Sequence, residues 1–488
     1  MQIQTPDWVK KAVFYQIFPD RFKKSDRIIH SRGIQFKPWG TDPKEQGYQG
    51  GDLYGIADQL DYLEQLGITA IYLNPIFSSA SNHRYHAYDY LEVDPLLGGT
   101  AALRDLLDKA HARGMKVILD GVFNHASRGF WAFHHILENG GNSPYIDWFT
   151  VYGWPLRPYN SDKNNPPNYG AWWNHPALPK FNIKNPGVRD YILYVTKYWL
   201  DFGIDGWRLD VADEIKDDDF WREFRQVVHK ANPQAYIVAE IWPFADKWLK
   251  GDMFDGVMNY QFTGPTLGFF GARNLSNKHT YSDQNFINYY PHTAEEFKKN
   301  LQAMYAHYDP QINHANMTML DSHDTPRAKF LLNDDKNAFK QAVLCQFTTP
   351  GAPCVYYGDE IGMSAGGDPD CRQAFPWTDK AKWDLDILEF YKNTIALRNH
   401  HAVLSLGNLE FIHAEKGVVA YTRTLKNTTA IVVLCQLANH TAITLPKAQY
   451  GEKEYETIYS LNGAQAEITI GEIGITLPAQ SAIVLVSK

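Results

Sequence analysis

Cysteine is scarce. The 488 residues contain four, Cys345, Cys354, Cys371 and Cys435. Their spacing fits no zinc or redox motif, and they are too few to staple a chain of this length, so buried free thiols are expected. Long apolar runs are missing as well. No window is long and apolar enough to cross a bilayer. The N-terminal MQIQTPDWVKK has no apolar stretch behind a basic start, so no secretory leader is read. A basic excess is also lacking, with a net charge of -8 and a pI of about 6.1. That argues against nucleic acid as a partner and leaves neutral ligands open. No internal repeat or low-complexity tract is visible. The cytoplasm is the expected compartment, and neither membrane nor nucleic acid is expected as a partner.

What is present is core and aromatic surface. Hydrophobic residues make up 44% and aromatics 14%, with 14 Trp and 29 Tyr. Tyr and Trp join an apolar face to a polar handle, which suits sugar rings as well as cores. Through the first 400 residues, strand-like runs alternate with helical periodicity. The strand runs are Val13–Phe18, Ile68–Leu73, Lys116–Val122, Gly206–Val211, Ala235–Ile241, Phe254–Tyr260, Met317–Ser322 and Ala352–Tyr357. Helical spacing falls between most of them, at Gly55–Leu66, Thr100–Arg113, Gly187–Phe202, Asp218–Ala231, Thr293–His307 and Lys336–Phe347. Eight strands with intervening helices predict an α/β fold of the (β/α)8 (TIM) barrel type rather than a doubly wound sheet. Residues 1–125 and 185–400 are assigned to that barrel. Residues 126–184, rich in Trp, Asn, Pro and Tyr, are too long for a plain loop and are expected to form an inserted subdomain over its mouth. Residues 401–488 carry short strands split by turn residues and are expected to be an antiparallel β-sandwich.

The acidic residues fall at strand C-terminal ends, the face where such barrels place their chemistry. GIDGWRLDVADE (203–214) puts Arg208 and Asp210 two apart, on one side of an extended chain. A carboxylate held beside a cation stays ionised and is a poised nucleophile. VAEIW adds Glu240 and MLDSHD adds Asp324. One such acid alone reads more readily as a helix cap; three, with the other motifs, are expected to converge on one pocket. The run Asp217–Asp219 is read differently, as the N-terminal cap of the helix that follows.

With these motifs in hand, the chain resembles the α-amylase family of glycoside hydrolases (family 13) along nearly its whole length. DGVFNH (120–125), GWRLDVADE, VAEIW and MLDSHD look like the four main family segments. GITAIYLNPIF (67–77), GAPCVYYGDEIG (351–362), YHAYDY (85–90) and GYQGGDLYGI (47–56) fit further ones. LPKFN (178–182), Glu214 and GGDPDCRQAFPW (366–377) are similar to the neopullulanase, cyclomaltodextrinase and maltogenic amylase subgroup. That subgroup usually carries an N-terminal β domain ahead of the barrel; here the first strand begins near Val13, so a form lacking it is implied. The chain would then be a monomer, or a dimer not built on that domain.

The resemblance implies a retaining hydrolase of cyclodextrins, maltooligosaccharides, pullulan or related short α-glucans. Asp210 would be the nucleophile, Glu240 the acid and base, and Asp324 the group that grips two sugar hydroxyls. Substrate contacts are implied for Tyr88, stacked beneath the sugar, and for His125, His323, His86, Arg208, Glu214 and Trp242. Asp120 would anchor Arg208. No cofactor and no metal are implied; calcium at Asn124 is not expected, because partner acids are not evident in the insert, and the first loop (19–27) is too basic to read as a metal site. Transfer to sugar acceptors, a debranching preference for α-1,6 bonds, and a non-catalytic glycan-binding or scaffold role are the competing readings. The three carboxylates argue against the last.

Overall fold

A computed structural model describes the chain except residues 1–2, 31–32, 160, 276–286, 288, 448–452 and 470. Eight parallel strands form the frame: β1 (Phe14–Ile17), β2 (Ala70–Leu73), β3 (Lys116–Gly121), β4 (Gly206–Leu209), β5 (Tyr236–Ala239), β6 (Gly256–Val257), β7 (Met317–Thr318) and β8 (Ala352–Tyr356). Their order is β6-β5-β4-β3-β2-β1-β8-β7. A parallel bridge between Met258 and Met317 joins the two ends and closes the ring. Nearly every residue of these strands is buried. A parallel barrel is covered on both faces, which is why the strands read as continuous apolar runs rather than as alternation.

The outer layer is helical, including α1 (Leu60–Leu66), α2 (Gly99–Ala112), α3 (Pro186–Phe202), α4 (Asp218–Ala231), α5 (Tyr260–Phe270), α6 (Ala294–His307), α7 (Lys336–Thr348) and α8 (Leu385–His400). Local chemistry sets their ends. The Asp217 carboxylate accepts the Phe220 N–H and so caps α4 as expected. Thr293 and Glu296 form a capping box on α6. The helix expected over 55–66 is two pieces: Asp52 caps a short turn at Leu53–Ala57, and α1 restarts after Gln59. The sixth strand is shorter than expected. The Asn316 side chain takes the Val257 N–H and the Asn259 N–H turns to Met317, so Tyr260 already opens α5.

Residues 126–184 hold a helix (Trp131–Asn139) and isolated bridges, His125 to Lys180 and Phe149 to Phe181 among them. The C-terminal part is two antiparallel sheets. One has the order β9 (Asn408–Glu415), β10 (Val418–Leu425), β11 (Thr428–Cys435), β16 (Ala482–Ser487), β13 (Tyr455–Leu461); the other is β12 (Thr441–Pro446), β15 (Glu472–Leu477), β14 (Gln465–Ile468). The strand expected at 467–470 is β14, and Ile470 lies outside the described residues. Inward residues such as Ile431, Val433, Ile475 and Leu485 form the core between the sheets. The seam to the barrel is polar. The Arg423 guanidinium donates to the carbonyls of Thr348, Leu404 and Gly407, and Arg398 on α8 donates to those of Phe347, Thr349 and Gly351. Two buried cations thus satisfy carbonyls at the C-terminal end of α7, where the helix dipole favours positive charge.

Candidate active site

Arg208 is the centre of the site. It is fully buried on β4. Its Nη1 donates to Asp120 Oδ1 at 2.8 Å and to Asp210 Oδ1 at 3.0 Å. Its Nη2 lies 2.9 Å from Glu240 Oε2. One guanidinium therefore serves acids from the ends of β3, β4 and β5. The tight turn behind Asp210 completes this arrangement. Val211 adopts φ 35°, ψ 51°, a left-handed conformation that is an outlier for a β-branched residue. In that conformation its N–H donates to Glu240 Oε2 at 2.9 Å. The other oxygen, Glu240 Oε1, accepts Trp242 Nε1–H at 3.1 Å, and the Trp242 ring stacks on Tyr260 with centroids 3.8 Å apart.

Asp324 follows β7. It meets His323 Nε2 at 3.2 Å and Arg372 Nη2 at 3.3 Å. His323 is wired in from both sides. Gln16 Nε2 donates to its Nδ1 at 2.8 Å, so Nε2 carries the proton in the neutral ring and donates to the Tyr85 hydroxyl at 2.6 Å. Tyr85 passes a hydrogen bond on to Asp120 Oδ2, as does Tyr72. Strands β1, β2, β3 and β4 are thereby linked through one chain of polar side chains to the β7 loop.

Electrostatics follow from burial. Burial drives the Asp210 carboxyl well above its ordinary range, and Arg208 opposes it. Burial and the neighbouring Glu240 push Asp324 up to about 7. Burial raises Asp120 as well, against Arg208. Burial opposes the charge on Arg208, yet Asp120 and Glu240 hold it firmly protonated. Burial thus works against the ionised form expected at Asp210, and the Arg208 charge works for it. The imidazoles stay neutral. Burial, Arg372 and Arg208 hold His323 well below its usual pKa, burial and His86 bring His125 down to about 3, and burial and Arg128 bring His86 down to about 4.

The expected residues divide into those that meet and those that do not. Asp210, Glu240, Asp324, Arg208, His323 and Trp242 share the contacts above. His125 is buried against Trp172, ring centroids 5.1 Å apart, and its Nε2 finds no hydrogen-bond partner among the described residues. Glu214 stands beside this cluster. Lys180 Nζ reaches its carboxylate at 3.1 Å and its carbonyl at 2.9 Å, so LPKFN and the Arg208 segment touch directly. Tyr88 and His86 make none of the contacts to the acids. The tyrosine stacked on His323 is Tyr85, at 5.4 Å and 2°. YHAYDY offers tyrosines at 85, 88 and 90, and only the bend at His86 decides which faces inward. Sequence reasoning also missed Gln16, Tyr85, Arg372 and Trp172. Arg372 could have been found, since it is the one cation in GGDPDCRQAFPW.

Among the described residues no cluster of three or more His, Cys, Asp or Glu side chains is arranged to hold a metal. In the first loop, Asp20 instead accepts the Gln49 and Gly50 N–H groups and pairs with Arg21. All four cysteines are buried free thiols; burial pushes Cys345 and Cys371 up to about 12, and Cys371 Sγ donates to the His323 carbonyl. Among the described residues no helix is long and apolar enough to cross a membrane.

Known proteins resemble the chain over nearly its whole length. Residues 16–407 match the alpha amylase catalytic domain family. A cyclomaltodextrinase from a Bacillus species is 43% identical over 88% of this chain and 74% of its own length. Neopullulanase 2 of Thermoactinomyces vulgaris is 40% identical over 99% of this chain and 78% of its own. The solved native debranching enzyme of Nostoc punctiforme superposes with a TM-score of 0.91 at 43% identity, covering 99% of this chain and all of that one. The chain belongs to the α-amylase family of glycoside hydrolases, and it is a glycosidase acting on α-glucans.

Proposed function

We propose that the protein is a retaining hydrolase of short α-glucans, with cyclodextrins, maltooligosaccharides and pullulan as its substrate class. The observation that carries this reading is the sharing of Arg208 among Asp120, Asp210 and Glu240. Breaking an acetal needs one carboxylic acid to protonate the departing oxygen and one carboxylate to meet the developing positive centre. A cluster of acids with fewer cations than carboxyls provides both forms together. Asp210, fixed by Arg208, attacks the anomeric carbon as the C–O bond breaks, and Glu240 delivers its proton to the leaving oxygen. Glu240 then takes a proton from water, whose oxygen displaces Asp210 and frees the sugar. Asp324 accepts hydrogen bonds from ring hydroxyls and tightens as the ring flattens. Tyr85 and His125 line the same sugar, His125 through its unpartnered Nε2. Sugar in place of water at the second step gives transfer products.

The stereochemistry is the test. Proton NMR during the first turnovers of a maltooligosaccharide should show the α-anomer before mutarotation; the β-anomer as first product would refute the covalent route. A second reading, preference for α-1,6 bonds, is favoured by the full-length likeness to the Nostoc debranching enzyme. A time course on a cyclodextrin, a linear maltooligosaccharide and a branched glucan separates the two. The cytoplasm is the proposed compartment, and the oligomeric state is a question for light scattering.

A further inference from the structure

Tyr88 lies three residues from Tyr85 yet makes none of the contacts to the acids, and its surroundings point to another use. Three short segments run side by side from the catalytic centre outward. The Ser127 N–H donates to the Ala87 carbonyl, the Ala126 N–H to that of Pro179, and the Arg128 N–H to that of Ala177. The inner end of this patch carries Tyr85, which donates to Asp120, and His125 with its unpartnered Nε2. The outer end, three residues further along each segment, carries Tyr88 and Arg128.

The outer end is built from more than proximity. The Tyr88 ring packs against Gly129, so closely that a Cβ there would come within 2.3 Å of it. Arg128 Nη1 donates to the Pro158 carbonyl at 2.6 Å, which brings in the loop from the insert. The Arg128 guanidinium then sits 4.2 Å over the Tyr159 ring, and that ring is 70% exposed. Burial and the nearby Tyr159 raise the Tyr88 phenol, with Arg128 opposing, which places the three side chains in one neighbourhood. Glucan rings present C–H faces that stack on tyrosine and hydroxyls that accept from guanidinium. Here both kinds of partner stand together, with Tyr159 open to water.

We propose that Tyr88, Arg128 and Tyr159 form an outer glucosyl subsite that holds an α-glucan arm several sugars from the bond being cut. The subsite rests on the reading of the enzyme as an α-glucan hydrolase, which wild-type turnover of maltotriose and maltoheptaose tests by itself. The subsite is tested by the ratio of kcat/KM for maltoheptaose to that for maltotriose. Losing one stacking partner should lower this ratio three- to tenfold in Tyr159→Ala, and likewise in Tyr88→Ala. Tyr194→Ala, which removes another exposed tyrosine from α3, should leave it at the wild-type value. Tyr159→Phe should keep most of the preference, since the ring face remains. An unchanged ratio in both alanine variants overturns the proposal. So does an equal loss on both substrates, which would mark a structural or subunit-contact role for these rings.

Discussion

The N–H of Val211 and the carboxylate of Glu240 meet at 2.9 Å, and Val211 takes up a left-handed backbone conformation to make that contact. Local strain and the position of the acid are therefore linked. Val211→Gly should relieve on the order of 1 kcal/mol of strain. We expect a higher or equal denaturation midpoint together with a lower kcat, because a freer turn holds Glu240 less firmly. Loss of stability with full activity would contradict the link.

Arg208 is expected to be irreplaceable even by lysine. A single ammonium cannot bridge Asp120, Asp210 and Glu240 as a planar fork does. Arg208→Lys should lower kcat by at least about a hundredfold. Arg208→Ala, which strands buried carboxylates, should lose about 3–5 kcal/mol of stability in chemical denaturation. Retained turnover in the lysine variant would remove Arg208 from the centre of the mechanism.

Asp324 gives the pH dependence a sign. Its carboxyl is pushed up to about 7 in the folded chain, against an ordinary carboxylate value when unfolded. The folded state then binds more protons than the unfolded one between those values, so this group's contribution is fully present below pH about 4 and is lost as pH rises through about 7. Water reaches 29% of the Asp324 side chain, which softens the effect. Thermal scans from pH 4 to 8 should show Asp324→Asn gaining on the wild type as pH rises. A melting temperature of the variant minus that of the wild type that is constant or falls with pH would contradict the raised value.

The seam between barrel and sandwich rests on Arg423 and Arg398. Arg423→Met takes the donor from the Thr348 carbonyl and leaves that of Leu404 to Arg398 and that of Gly407 to His314, at about 1–3 kcal/mol for a carbonyl that stays dry. We expect a clear drop in melting temperature with kcat of the folded fraction intact, since these groups lie away from the acids. A fall in kcat at temperatures well below melting would show that the seam reaches the site.

Much of this was legible in the sequence. The alternation of apolar runs with helical spacing marked all eight barrel strands, because parallel strands buried on both faces have few polar positions to blur them. Arg208, Asp210 and Glu240 could be read because each sits at the end of such a strand, and Asp324 because it follows the seventh run, although that strand stops at Thr318 rather than at the expected Ser322. Tyr85 could not, because three tyrosines within six residues are equivalent until the bend at His86 is known. Gln16 was hidden inside β1, where nothing distinguishes a polar residue aimed at a histidine from a chance polar residue in a core. The sixth strand was overcounted for a related reason: its apolar run continues into α5, and the break comes from the Asn316 side chain, sixty residues away in sequence.

The buried thiols make the protein its own unfolding gauge. A thiol reagent can react with Cys345, Cys354, Cys371 or Cys435 only when the surrounding structure opens, so labelling rates measure opening rather than reactivity. Cys371 stands next to Arg372 and holds the His323 carbonyl. Labelling at that one position therefore times the opening of the active-site wall, while Cys345 in the barrel helix and Cys435 in the sandwich time the two cores. Peptide-resolved labelling of the intact enzyme, with and without a bound oligosaccharide, would rank the three motions on a single clock.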